Sequence, residues 1–180
     1  MKILKNILLV IVGIIVLILV VAIFVPKEYA VERAMTIDRP ASEVFDYVVL
    51  LKNQDNYSVW AQKDPNMKKS FSGEDGTVGF ISAWESEDEE VGRGEQEIIK
   101  IEQYFRVDYE LRFFEPFEAT DNAYMITEVV SANQTKVKWG FNGKIPYPMN
   151  LMLLFINMEE ELGTALSDGL NNLQAILENS

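Results

Sequence analysis

Between Tyr147 and Leu177 the apolar residues recur in steps of three and four, at Leu151, Phe155, Met158, Leu162, Ala165/Leu166, Gly169/Leu170, Leu173 and Ile176/Leu177. That spacing places them on one helical face and predicts a single long C-terminal helix. Pro146 and Pro148 stop the strand before it, and Pro148 suits a first helical turn, where its missing N–H would be unpaired anyway. Glu159, Glu160, Asp168, Asn171 and Asn172 take the opposite, wet face. A stripe this long cannot be hidden by the helix itself, so the preceding residues must supply a concave surface.

Those residues read as such a surface. Tyr29, Val31 and Ile37 mark a first strand within Lys27 to Ile37, followed by a turn and two short helices around Val44–Val49 and Asn53–Trp60. After Pro65 the alternation is strict, in Val78-Phe80-Ser82-Trp84, Gly94-Gln96-Ile98, Val107-Tyr109-Leu111-Phe113, Met125-Thr127-Val129 and Val137-Trp139-Phe141. The residues between are mostly charged, including Glu95, Glu97, Asp108, Glu110, Arg112, Lys136 and Lys138. Period two with one wet face is the pattern of an antiparallel sheet covered on one side. With Phe71 the order becomes strand, two short helices, six strands, long helix.

Ile7 to Val25 carries no charged side chain. At 1.5 Å per residue the run covers about 28 Å, close to a bilayer's hydrocarbon core. It exceeds the usual apolar stretch of a signal peptide and offers no small-x-small cleavage site. We therefore expect residues 1–26 to be a transmembrane anchor and 27–180 one domain. Lys2 and Lys5 precede the run while Lys27 and Glu28 nearly cancel after it. That bias predicts a cytoplasmic N-terminus and a domain on the non-cytoplasmic side of a single-pass membrane protein.

The chain of 180 residues has no cysteine and no histidine, which excludes disulfides, thiolate and imidazole metal sites and Ser-His-Asp chemistry. Its formal charge of −12 argues against a nucleic-acid partner. No cofactor or metal is expected. The acidic run Glu85 to Glu90 lacks the alternating donors and turn glycine of a calcium loop and reads as a solvated hairpin tip. Asp46, Glu95 and Glu110 are candidate bases, but period two puts the last two on the wet face.

Several stretches resemble a known family. They are Ile37-Asp38-Arg39-Pro40-Ala41-Ser42-Glu43-Val44-Phe45, Trp60, Asp64-Pro65-Asn66-Met67, Gly79, Trp84, Gly92-Arg93-Gly94, Leu111-Arg112-Phe113, Pro116, Thr135-Lys136-Val137-Lys138-Trp139 and Gly169-Leu170-Asn171-Asn172-Leu173. Together they resemble the SRPBCC superfamily of START-like, helix-grip proteins, in its polyketide cyclase/dehydrase-type branch. The acidic run is where the chain departs from that pattern. The resemblance implies an α+β helix-grip fold: a curved, seven-stranded antiparallel sheet wrapped around the C-terminal helix. It also implies that the first and last strands pair, bringing Tyr29 beside Gly143. The superfamily shares a pocket and no single chemistry.

The expected inward face is Phe80, Ser82, Trp84, Gln96, Ile98, Tyr109, Leu111, Phe113, Met125, Thr127, Trp139 and Phe141, with Met158 and Leu162 from the helix. Two readings stay open, a ligand cavity or a core filled by its aromatics. The polar groups of Ser82, Gln96, Tyr109 and Thr127 favour the cavity, because each needs a partner if buried dry. Trp60 either caps the pocket or anchors its helix. Met152 and Leu153 fall off the buried stripe and are expected to touch the membrane. The sequence thus predicts a membrane-anchored protein whose partners are the bilayer and a hydrophobic small molecule or lipid, bound without covalent chemistry. The alternatives are a protein-interaction module with a closed core and a cyclase-like enzyme.

Overall fold

A computed structural model describes residues 2–88 and 90–179. Its sheet runs in the order β1-β7-β6-β5-β4-β3-β2. The strands are β1 (Glu28–Ile37), β2 (Lys68–Ser72), β3 (Ile81–Glu85), β4 (Arg93–Glu102), β5 (Arg106–Glu115), β6 (Ala119–Ser131) and β7 (Gln134–Lys144). Every neighbouring pair is antiparallel, and Tyr29 lies opposite Gly143 as expected. One edge of the sheet therefore collects the start of β1, the end of β7, the start of β6, the end of β5, the start of β4 and the end of β3. This edge adjoins the apolar helix α1 (Lys2–Phe24), which ends four residues before β1.

Between β1 and β2 come α2 (Ala41–Val48), a 3-10 turn (Leu51–Asn56) and α3 (Val59–Lys63). Val44, Phe45 and Val48 form the buried face of α2. The C-terminal helix α4 (Met158–Glu178) buries Leu166, Gly169, Leu170, Leu173 and Leu177 of the periodic face read from sequence, together with Gly163. It packs mainly along β1 and to a lesser extent on β7. Arg33 of β1 reaches over Gly163 and binds Glu159 through both its carboxylate (2.7 Å) and its carbonyl (2.9 Å). Farther along α4, the Trp139 ring fills the place a Cβ of Gly169 would take, within 2.6 Å of it.

The predicted single helix from Tyr147 to Leu177 is instead two pieces. A 3-10 segment (Met149–Leu154) is followed by a break, and α4 begins at Met158. Pro148 stands just before the 3-10 segment rather than in a long helix. Asn157 ends the ambiguity: its side chain accepts from the Glu160 backbone N–H, capping α4 and resetting the helical phase. Leu151 and Phe155 therefore leave the buried stripe, and Phe155 is 86% exposed.

The seat of α4 gives a direct test. An alanine in a helix is worth about 1 kcal/mol more than glycine by propensity alone. At Gly169 the added methyl would strike Trp139, which Tyr57 and Trp60 hold edge-on at 5.5 and 6.4 Å. Gly169→Ala should therefore destabilise the protein, by about 1–3 kcal/mol, in thermal or denaturant unfolding followed by tryptophan fluorescence. A neutral or stabilising result would mean that α4 is not held there.

Candidate functional site

Because α4 lies along β1 and β7, it leaves the concave face of β3–β6 uncovered toward the edge near α1. There the structure holds a cavity of about 340 Å³. Three rows of inward side chains, set by the strand register, organise its wall. The outermost is Trp84, Gly94, Phe113 and Ala119. Gly94 has no side chain because Trp84 lies across it; a Cβ there would come within 2.6 Å of the ring. The ring thereby meets Phe113 edge-on at 6.0 Å, and its Nε1–H donates to the Val91 carbonyl at 3.1 Å.

The second row carries the polar groups: Ser82 beside Gln96, Gln96 beside Leu111, Leu111 beside Asp121. Tyr29, stacked on Phe141 at 6.3 Å, closes the row from β1. It fits because its ring occupies the space above Gly143, where a Cβ would lie 2.2 Å from it. The third row, Phe80, Ile98 and Tyr109, is sealed core, while Ala123 and Phe141 beyond it still reach the cavity. Leu162 and Leu166 of α4, Trp60 of α3 and Trp139 complete the wall. Trp60 thus both lines the cavity and packs on Trp139. The rim consists of loops at the edge near α1, with Pro116, Phe117, Val91 and Met67.

Of the residues expected on the inward face, Ser82, Trp84, Gln96, Leu111, Phe113, Trp139, Phe141 and Leu162 line this cavity. Phe80, Ile98, Tyr109, Met125 and Thr127 do not; they are closed core. Two of the supposed polar handles are satisfied inside it. The Tyr109 hydroxyl donates to the Val48 carbonyl at 3.3 Å, and Thr127 Oγ1 to the Tyr104 carbonyl at 3.2 Å. Met158 stands half-buried at the start of α4, outside the wall. Period two places a side chain on a face but does not say how far along the strand the face stays covered.

Asp121 was missed. It is 6% exposed, yet it lines the cavity. Its Oδ1 accepts from the Lys144 backbone N–H at 3.0 Å. Burial pushes its pKa up, and that hydrogen bond offsets part of the rise. Burial, and then the charge of Asp121, push the Tyr29 hydroxyl up as well. The signal was in the sequence, since Asp121 is in phase with Ala123, Met125 and Thr127. Gln96 is also buried, and its Nε2 finds no hydrogen-bond partner among the described residues.

The remaining charges of the wall are Asp55, Lys69, Glu90 and Glu115. Lys69, the cation of this set, is held by Asp55 at 2.6 Å. Glu95 and Glu110 are on the convex face, where with Glu97 they surround Arg112 at 2.6, 2.5 and 2.8 Å respectively. Those carboxylates hold the Arg112 pKa above its ordinary value. In the acidic loop Glu85 pairs with Lys68 at 2.9 Å and Glu90 with Lys63. Glu89 of that run lies outside the described residues. Among the described residues no group of three acidic side chains is placed to hold a metal ion.

No protein-family profile and no curated protein matches the sequence. Solved structures do match the fold. Norcoclaurine synthase from Thalictrum flavum, solved with dopamine and hydroxybenzaldehyde, superposes with a TM-score of 0.62 at 11% identity, over 85% of this chain and 88% of that one. The protein XoxI from Bacillus cereus gives 0.59 at 13% identity, over 82% and 94%. Ara h 8.0201 gives 0.54 at 12% identity, over 85% and 99%. The chain has the helix-grip fold of these proteins.

The buried carboxylate yields a pH prediction. A raised folded-state pKa means that the native state holds its proton longer than the unfolded chain does. Stability is then lost as pH rises through that range, and the loss persists at neutral pH. Asp121→Asn keeps an oxygen for the Lys144 N–H and removes the charge. Its unfolding midpoint should exceed that of the parent at pH 7, with the gain shrinking to nothing below about pH 4. An equal or lower midpoint at pH 7 would show that the carboxylate is not penalised.

Proposed function

We propose that this chain is a membrane-anchored member of the START-like superfamily that binds a hydrophobic small molecule or lipid without transforming it. The observation that carries the reading is the cavity itself: about 340 Å³ between sheet and C-terminal helix. That lies within the roughly 300–1,000 Å³ typical of small-molecule sites. Norcoclaurine synthase, whose fold the chain shares, was solved with two small aromatic molecules. The cavity favours this reading over an interaction module with a closed core. The cyclase-like alternative loses Glu95 and Glu110, which Arg112 engages on the far face of the sheet.

The anchor is α1. It is 23 residues long and has one buried residue, Ala22. Lys2 and Lys5 at its start orient the N-terminus to the cytoplasm and the domain to the other side. The charges of the wall are largely paired: Asp55 with Lys69, Glu90 with Lys63 and Glu115 with Arg93, while Asp121 accepts from the Lys144 N–H.

A neutral alkyl diazirine, photolysed with the full chain in phosphatidylcholine bilayers, tests this proposal. Label should appear on α1 and also on cavity residues such as Leu111, Phe113 and Leu162. Ala119→Trp, which fills the outer row, should lower the cavity label at least tenfold and leave that on α1 unchanged. Val130→Trp, on an exposed stretch of β6, should change neither. Label on α1 but none in the parent's cavity would overturn ligand binding.

A further inference from the structure

The segment between β7 and α4 is fastened to α1. Asn150 is fully buried, and its Nδ2 donates to the carbonyls of Ala22 (2.7 Å) and Val25 (2.9 Å). The last carbonyls of a helix have no partner within it, and in lipid each unpaired group is costly. Asn150 supplies the missing donors. Tyr147 adds a hydroxyl bond to the Leu19 carbonyl at 3.3 Å, and Lys27 lies over its ring at 6.0 Å. These contacts fix the height of the 3-10 segment along the helix axis. Leu19 lies five residues before Phe24, about 8 Å back along α1 at 1.5 Å per residue.

Asn150 thus holds the segment at the last turn of α1, and Tyr147 just before it reaches about one turn deeper, which sets the segment at the level where α1 ends. From Ile7 to Phe24 the helix covers about 27 Å, which leaves its final turns at the boundary between hydrocarbon and headgroups. The side chains that the 3-10 segment and the following residues turn outward fit that depth. Met149 is 49% exposed, Leu154 56% and Phe155 86%. None of the residues from Pro146 to Ile156 is charged.

Resting on the reading of α1 as a membrane anchor, we infer that the 3-10 segment is a second membrane contact. It is an apolar wedge seated in the headgroup layer of the leaflet where α1 ends, with Asn150 as its clasp. Aromatic and long aliphatic side chains are favoured at this depth. Met149, Leu154 and Phe155 present more surface than Met152 or Leu153, so the contact is centred around the pair expected from sequence rather than on it. A consequence follows from the strand order. The rim of the cavity is built on the edge of the sheet that adjoins α1, so the wedge turns that mouth toward the bilayer.

The chain has no cysteine, so single nitroxide labels can be placed without background. Phe155→Cys reports on the wedge, Val16→Cys on the middle of α1, and Asn133→Cys on the hairpin at the far edge of the sheet. Labelled full-length protein in phosphatidylcholine vesicles is read by power saturation with oxygen and a water-soluble nickel chelate. Val16 should be deepest, Phe155 at headgroup depth and Asn133 in water. Adding Asn150→Leu to the Phe155 probe should move that label outward. A Phe155 label as accessible to nickel as Asn133, with Val16 still deep, would overturn the wedge and leave the anchor standing. A Phe155 label unmoved by Asn150→Leu would overturn the clasp. A water-exposed Val16 would overturn the anchor, and the wedge with it.

Discussion

Trp139 seats α4 against β7 beside its main bed on β1, and that seat determines where the empty space falls. The ring needs Gly169 beneath it and is held by Tyr57 and Trp60. With Arg33 clasping the start of α4 over Gly163, the helix is seated along β1 and β7. A straight helix on a curved sheet cannot cover both flanks. The far half of the molecule is closed by α2 and by the sealed row Phe80, Ile98 and Tyr109. The near half, between β3–β6 and Leu162, stays open. The cavity thus results from how the helix is held, with small side chains such as Ser82, Ala119 and Ala123 keeping space among the aromatics of its wall.

Much of this was legible in the sequence, and the reasons are local. Period-two alternation gave the later strands, and the glycines and asparagines between them gave the turns. The pairing of Tyr29 with Gly143 followed from resemblance to a known fold. The N-terminal end of α4 was misplaced because Leu151 and Phe155 continue the helical period by coincidence. Asn157 with Glu160 three residues on is a local capping pattern that marks the true start, whereas the bonds from Asn150 to α1 are tertiary and leave no trace in the sequence. The depth of the cavity was equally hidden. Thr127 and Gln96 look alike as inward polar residues, yet one is bonded within the core and the other lines the open space. Asp121 is in phase, but the alternation read from the sequence began at Met125, whereas β6 reaches back to Ala119.

Polar groups in one row and aromatics in the row outside it give the cavity a direction. Ser82, Gln96, Asp121 and Tyr29 lie deeper than Trp84, Phe113 and Phe117. An amphipathic guest would place its polar group inward and its apolar part at the rim. The outer wall also carries Glu90 and Glu115, each paired with a cation, which suits a mouth at headgroup depth rather than in hydrocarbon.

Native mass spectrometry of the full chain, released intact from membranes in mild detergent, is the most direct test of whether the gap beside α4 holds a molecule. One small apolar or amphipathic guest per chain, which leaves on unfolding, is the expected result. A chain found free of any guest, which also takes up no neutral apolar compound offered in excess, would contradict it.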